Sequence, residues 1–361
     1  MLTRILLSTA VLPVVAAPLA ISELEFAPEA GSQVTKTVSS STDFEVQELA
    51  IEVAGMDMTE MIGEVDLNIV NETNVSVTDT YDAVAEGHPK KLTRTFNECT
   101  TLVEFEAMMA AAGESESDAT EMESQLSGES VIFTWNEESN EYDVAFANEE
   151  SELDEELLGG LEEDMDLRTL LPEGDVAKGE TWEVPLSAVG WILAPGGDLA
   201  WTNDDVESMD EDMEDMTEMF DGLFENMDEE LEGKLVLTMG DVAEKDGVKI
   251  AQATVKLAID SSMDMSDMLA DLMDTMMGGV EELGGEMPEI SIDQADVALE
   301  FEGEGVFEWN VTAGRAHAFT LAGEAIMSME IAVGMSMEGE SQDISATIEL
   351  AGDYSTEFGL E

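Results

Sequence analysis

Apolar and polar residues alternate along several long stretches of the chain, and Val, Ile and Thr are frequent in them. The first three such stretches are Ser32–Gly55, Gly63–Gly87 and Lys90–Phe105. Because the side chains of a strand point alternately to its two faces, this pattern predicts strands with one buried face. The polar turn "NEESN", between the alternating runs of Glu129–Phe146, predicts a hairpin.

The second half of the chain repeats the alternation. The stretch Lys234–Asp260 predicts another hairpin around the turn "EKDG", and Ala295–Met337 followed by Ile344–Leu360 predicts a meander of strands. One set of alternate positions in the meander is apolar, namely Leu321, Ala325, Met327, Met329, Ile331, Val333, Met335 and Met337. The positions between them are mostly polar, so one face of this strand is expected to meet water while the other is covered.

Two acidic segments rich in methionine have a helical period instead. Across Met209–Gly233 apolar residues recur every three or four positions and carboxylates fill the remaining arc, which predicts an amphipathic helix. Its apolar stripe is Met209, Met213, Met216, Phe220, Leu223, Met227 and Leu231. The stripe of a second such helix is Met265, Met268 or Leu269, Leu272, Met276 and Val280. Both helices should turn their carboxylates outward.

Two further segments are expected to contain helix. Glu150–Pro172 has Leu near helical spacing and is interrupted at Gly159 and Gly160, which predicts one broken amphipathic helix. The Ala, Ser and Glu content of Glu104–Ser130 predicts a short helix and a mobile loop.

Together these elements predict a mainly β (α+β) fold. We expect a large curved antiparallel sheet or half-barrel, with two or three acidic amphipathic helices inserted as lids. A single β-rich domain should span residues 21–361, and two lobes divided near residues 150–175 are the alternative.

The N-terminus predicts export. Arg4 precedes a run without charge from Ile5 to Ser22, and small residues up to Ala20 offer cleavage positions, as in a secretory signal peptide over residues 1–20. An uncleaved membrane anchor is the alternative, which the two prolines in the run disfavour. The protein is therefore expected to be secreted or periplasmic.

The charge of the chain restricts its partners. It has 12 Lys and Arg against 85 Asp and Glu, a formal net charge of −73. Nucleic acid and anionic membrane surfaces should be repelled, because binding them needs clustered positive charge. Hydrophobic residues still make up 44% of the chain, which argues for a packed core. The basic stretch His88–Arg94 is expected to form local salt bridges, and the single Cys99 to be a buried apolar residue.

Candidate catalytic chemistry is sparse. His88 and His317 are the only histidines and neither lies in a nucleophile motif, so no catalytic residue and no cofactor are predicted. A hydrolase with an unrecognised carboxylate site is the enzymatic alternative. The acidic residues of Asp210–Glu214 match part of a calcium loop, but Asp215 replaces the Gly that the loop requires. Only diffuse, weak cation binding is therefore expected.

Methionine is the remaining candidate for a binding function. Several Met pairs have the spacing of copper(I) ligands, but most lie on stripes otherwise filled by Leu, Ile and Phe, which favours packing, and no metal site is predicted. Flexible Met side chains suit either a soft core or an adaptable cavity for a lipophilic small molecule. The residues expected to line such a cavity are Met213, Met216, Phe220, Leu223, Met227, Met268, Leu272, Met276, Met327, Met329, Met335 and Met337.

Three stretches resemble an uncharacterised family of exported bacterial proteins, a domain of unknown function common in planctomycete-like secretomes. They are Leu170–Pro185 with its "GETW" step, Asp246–Ile259 with its "DG" turn, and Glu302–Glu324. The likeness covers residues 170–330, and the two Met-rich segments depart from it as insertions. No catalytic residue is known for the family, so the resemblance implies none here. A looser likeness, in architecture alone, is to exported lipoprotein carriers, curved half-barrels whose concave sheet is covered by helices.

These patterns favour an exported, highly acidic, non-enzymatic protein with a binding or structural role in the periplasm or at the cell exterior. A carrier of lipophilic ligands through a Met-lined cavity is the alternative. The two differ in what lies beneath the Met stripes, since a fully packed core would leave no room for a guest.

Overall fold

In a computed structural model, the described residues are 24–59, 65–109, 114–148, 150–151, 153–202, 232–245, 247–266, 269–270, 289–337 and 340–360. The predicted signal peptide lies outside these residues, and so does the predicted helix over Met209–Gly233 up to Leu231; its last residue, Gly233, begins a strand. Only the beginning of the second Met-rich helix is described. There a helical turn starts at Ser266, and the Leu269 amide donates a hydrogen bond to the Met265 carbonyl (3.0 Å).

The predicted fold class is confirmed, because the described chain is mainly β and forms one large curved antiparallel sheet of 14 strands. The strands are β1 Gln33–Val53, β2 Met56–Asp57, β3 Val65–Ala85, β4 His88–Met109, β5 Glu114–Ser124, β6 Ser130–Asn136, β7 Glu141–Phe146, β8 Thr181–Val184, β9 Trp201–Thr202, β10 Gly233–Lys245, β11 Val248–Asp264, β12 Glu289–Asn310, β13 Arg315–Met337 and β14 Glu340–Leu360. Both predicted hairpins are present, as β6–β7 and β10–β11.

The strand order is β7-β6-β4-β3-β1-β14-β13-β12-β11-β10-β8, with β7 and β8 at the two edges. Three short or partial pairings lie beside this path: β2 pairs with β1, while β5 pairs with β4 and β9. The pairing of β1 with β14 joins the first and last strands of the chain. Strands from both halves of the sequence therefore belong to one continuous sheet.

Two predicted helices are wrong. The segment Glu104–Ser130 continues β4 to Met109 and returns as β5, and ten residue pairs join the two strands. This ladder outweighs the helical preference of Ala and Glu, since local propensity is a weak prior against tertiary pairing.

In the segment Glu150–Pro172 the described residues form only two 3₁₀ turns, Glu155–Leu158 and Arg168–Leu170. Left-handed backbone at Gly160 (φ 73°) and Leu167 (φ 56°) interrupts it. No continuous helix forms because the chain follows the sheet surface and makes hydrogen bonds to it.

The face of the sheet that carries the alternating apolar residues is densely packed along half of its length. One row of directly paired residues crosses five strands there, and all are buried: Phe307, Phe319, Phe358, Val38 and Val75. The segment Leu153–Thr202, called here the inner segment, covers this packed half with buried side chains that include Leu167, Leu170 and Ile192. The inner segment and the sheet thus share one hydrophobic core.

A belt of small residues ends the packed half. Gly303 lies directly opposite Gly323, and a Cβ on Gly323 would meet the Glu302 carbonyl oxygen at 2.2 Å. Tyr354, the next residue in this row, packs edge-on against the Phe301 ring (5.7 Å between centroids). Its hydroxyl donates to the Ile192 carbonyl of the inner segment (2.6 Å). At this belt the Tyr354 hydroxyl of β14 therefore fastens the inner segment to the sheet.

Candidate functional site

Beyond the belt, the apolar face of the sheet continues without becoming fully buried. Three rows of directly paired residues define it, and we call them the open apolar face: Leu299, Met327, Leu350 and Val46; Met263, Val297, Met329, Ile348 and Leu49; Ile292, Val333, Ile344 and Val53. Of these 13 residues only Met263 and Leu350 are buried, and the other 11 are half-buried. A face of this breadth would normally be covered, because apolar area left in water costs about 25 cal/mol per Å².

The open apolar face contains part of the predicted lining. Met327 and Met329 lie in its first two rows, on the apolar side of β13 as expected, and Met335 and Met337 continue the same strand. The other predicted lining residues lie outside the described part of the chain: Met213, Met216, Phe220, Leu223, Met227, Met268, Leu272 and Met276. Whether these residues meet the open apolar face is therefore still a prediction.

The opposite face of the same strands is acidic. Glu302, Glu324, Asp353 and Asp43 are direct cross-strand neighbours on four adjacent strands. Directly opposed side chains stand about 5 Å apart, so this row places like charges at repulsive distance. The sheet is thus strongly two-sided, with carboxylates on one face and Met, Ile, Leu and Val on the other.

A buried charge cluster fixes the inner segment to the other half of the sheet. It comprises Lys36, Asp79, Arg94, Glu163, Asp164, Asp166 and Arg168. At its centre the Lys36 Nζ lies 2.6 Å from Asp79 Oδ2 and 3.0 Å from Asp166 Oδ2, and the exposed fraction of these side chains is 0–1%. Arg94 Nε donates to Asp79 Oδ1 at 2.8 Å. Burial opposes ionisation of Asp79, but Arg94 and Lys36 outweigh it and lower its pKa to about 2.

Polar contacts in the cluster run from the sheet to the inner segment. Arg94 donates from its two terminal nitrogens to the carbonyls of Glu162 (2.7 Å) and Glu163 (2.8 Å). The Tyr81 hydroxyl donates to both carboxylate oxygens of Asp166 (2.7 and 2.8 Å), and burial together with Asp166 raises the pKa of Tyr81. Backbone carbonyls that a helix would have used internally are instead bound by the sheet.

Glu163 differs from the other carboxyl groups of the cluster. Its Oε2 accepts a short hydrogen bond from Arg168, whose Nε also bonds Asp164 Oδ1 (2.9 Å). Its Oε1 is buried and has no hydrogen-bond partner among the described residues. Burial raises the pKa of Glu163 to about 7, although Arg168 opposes that shift.

This cluster was not predicted from the sequence, although the alternation of apolar and polar residues carried a signal for it. Lys36 lies between Val34 and Val38, and Arg94 lies between Leu92 and Phe96, so each occupies an inward position of its strand. A cation at such a position requires a buried counter-ion. The basic stretch His88–Arg94 was expected to form only local salt bridges, which holds for Lys90 with Glu86 (2.8 Å) but not for Arg94.

Two other predicted residues can be placed. Cys99 is fully buried, as predicted, and burial raises the pKa of its thiol to about 11. His88 packs edge-on against Trp135 (4.4 Å between centroids) and lies 3.3 Å from the Tyr142 hydroxyl. In the ranges that the structure covers, no three His, Cys, Asp or Glu side chains converge as a metal site would require. In the same ranges, no helix has the length and apolar character needed to cross a membrane.

Comparison with known proteins does not identify the chain. No family model and no curated protein matches it, so the resemblance described above stays a prediction. Among solved structures, an outer membrane channel from Pseudomonas putida F1 is 10% identical with a TM-score of 0.18, covering 92% of this chain and 97% of the other. The transport unit of the autotransporter AIDA-I from Escherichia coli is 8% identical with a TM-score of 0.13, covering 88% and 90%. TM-scores this low are not evidence of a shared function.

Proposed function

We propose that the protein is an exported, highly acidic binding protein that catalyses no reaction, and that its binding surface is the open apolar face. The half-burial of Met327, Met329 and their neighbours is the observation that carries this proposal. A sheet face meant only for the core would resemble the packed half, where the corresponding rows are fully buried. The open apolar face instead keeps apolar surface available to an occupant.

Carriage of a lipophilic small molecule is the more specific candidate. Met329 is paired with Val297 and Ile348, so a flexible thioether lies among branched side chains on a surface without charged groups. Such a surface adapts to guests of different shape and offers them no ionic partner. A neutral or weakly polar lipophile fits this chemistry, and the net charge of −73 disfavours an anionic one.

The acidic face argues against polyanionic partners and for weak binding of cations. Four adjacent carboxylates in the Glu302 row would repel nucleic acid and anionic lipid surfaces, which need clustered Lys and Arg. The same row would attract cations diffusely, without a defined coordination shell.

The non-enzymatic proposal has support from the charge cluster. Asp79 and Asp166 are buried and ion-paired, and Glu163 is only 5% exposed, so no substrate can reach a pair of carboxyl groups there. The hydrolase alternative would require an accessible pair flanking a scissile bond. The charge cluster therefore does not supply such a pair.

Native mass spectrometry of the protein purified from its own host would test carriage. We expect a fraction of the full chain to retain a neutral lipophile of constant mass, and the variant Met327→Gln/Met329→Gln to retain less of it. Ile326→Gln is the matched control, because Ile326 directly precedes Met327 in sequence but is 39% exposed on the acidic face. Protein that is free of any lipophile, or equal retention by both variants, would contradict the proposal.

A further inference from the structure

The charge balance of the buried cluster is uneven if every group is ionised. Lys36, Arg94 and Arg168 supply three positive charges, and these are three of only twelve Lys and Arg in the chain. The carboxyl groups number four: Asp79, Asp164, Asp166 and Glu163. A further cation, Arg315 of β13, acts electrostatically on Tyr81, whereas the ion pair of Glu163 is with Arg168. A buried carboxyl group that lacks a cation of its own is favoured in its protonated form.

Geometry identifies Glu163 as the carboxyl group that keeps the proton. Both oxygens of Asp79 are bound by cations, and Asp166 meets Lys36 and the Tyr81 hydroxyl. Glu163 Oε1, in contrast, is buried without a partner among the residues described. A protonated acid tolerates that position better than a carboxylate does.

Glu163 is surrounded on several sides by groups that respond to its charge. The charged and titratable groups facing it are Arg168, Asp164 and Asp166 on its own segment, Arg94 from β4 and Tyr142 from β7. The Phe26 ring, from the chain before β1, covers the Arg168 guanidinium at 5.1 Å and adds no charge. Two acidic neighbours therefore oppose ionisation of Glu163, and the two cations already have other carboxylate partners.

We propose that Glu163 is a proton-controlled contact between the inner segment and the sheet. With its proton in place Glu163 adds no negative charge beside Asp164 and Asp166, and the inner segment is held firmly against β3 and β4. When the proton leaves to solvent, a further negative charge stands beside Asp164 and Asp166, which repel it. The segment around Glu163 then opens more often, while the pairs of Asp79 with Lys36 and Arg94 persist. The ambient pH thus sets how tightly the core on the packed half of the sheet is closed.

The sign of the effect follows from proton binding. The folded state holds a proton on Glu163 to a higher pH than the unfolded chain does, so deprotonation favours opening as the pH rises. A carboxyl group that titrates near pH 7 when folded and near 4.5 when unfolded changes the opening equilibrium about tenfold between pH 6 and 8.5.

Hydrogen–deuterium exchange of the full chain would test this contact. Amide exchange in residues 162–168, corrected for the intrinsic rate at each pH, should accelerate about tenfold from pH 6 to pH 8.5. Glu163→Gln should abolish that dependence, because the amide cannot ionise. The control Glu173→Gln, an exposed carboxyl in the same segment, should keep the wild-type profile.

Two results would overturn the proposal. The first is a wild-type profile that is flat with pH in residues 162–168, which needs no variant to be interpreted. The second is a pH dependence that Glu163→Gln retains in full, since another group would then be responsible.

Discussion

Removal of the Lys36 ammonium is expected to destabilise the protein severely. In Lys36→Met the unbranched apolar part of the side chain is kept but the ammonium is lost. Among the described residues, Asp166 then keeps the Tyr81 hydroxyl and Asp79 keeps Arg94 as side-chain hydrogen-bond donors. Breaking a buried ion pair by removing one partner costs about 3–5 kcal/mol, because the remaining charge is buried without compensation. That loss is a large fraction of the stability of a typical domain, about 5–15 kcal/mol.

Urea unfolding followed by tryptophan fluorescence would measure the change in the free energy of unfolding. Lys256→Met is a matched control, because Lys256 Nζ lies 2.6 Å from Glu304 Oε1, the same distance as Lys36 from Asp79, but both side chains are at least 70% exposed. Water screens that exposed pair, so the control should unfold close to wild type. A loss below about 1 kcal/mol for Lys36→Met, or equal losses in both variants, would refute the reasoning, since surface pairs have that size.

Two further predictions concern charge. The pKa of Asp79 is lowered in the folded state, so its ionised form stabilises the fold above its ordinary pKa of 3.8, and that stabilisation is lost as the pH falls towards 2. Acid unfolding should show the free energy of unfolding falling by roughly 2 kcal/mol in that window. Asp79→Asn should remove this pH dependence. Glu324→Gln interrupts the acidic row between Glu302 and Asp353 and should raise the free energy of unfolding by roughly a few tenths of a kcal/mol at low salt. Thermal melts in 1 M salt should erase that gain, because the screening length falls to about 3 Å; a gain that persists at high salt would contradict the electrostatic account.

Alternation predicted the β architecture well because it reports directly on which face of a strand is buried. Strand β13 illustrates this: Leu321 and Ala325 are buried, as their positions require, and Met327 is on the same face. Helix propensity gave a wrong prediction at Glu104–Ser130. Ala and Glu favour a helix there locally, but the partner strand provides a ladder of hydrogen bonds. Long-range pairing of this kind leaves little trace in the local composition.

The candidate site was only partly predictable. The row of methionines on one side of β13 follows from the alternation of apolar and polar residues in the sequence. The width of the open apolar face, however, depends on which strands lie beside β13. The charge cluster depends on Asp79 and Asp166 meeting across 87 residues of chain, at the Lys36 ammonium. In a chain with 85 acidic residues, composition cannot single out those two carboxylates. The inward position of Lys36 was the one local signal that a buried counter-ion existed.

Binding at the open apolar face is tested most directly by equilibrium titration of the full chain with the neutral lipophilic dye Nile red, in wild type, Met327→Gln/Met329→Gln and Ile326→Gln. We predict saturable binding by wild type and by Ile326→Gln, and at least tenfold weaker binding by the double variant, because placing two amides against an apolar guest costs about 1–3 kcal/mol each. Unchanged folding of the double variant is checked by circular dichroism. Equal affinity for all three proteins, or no saturable binding by wild type, would contradict the account.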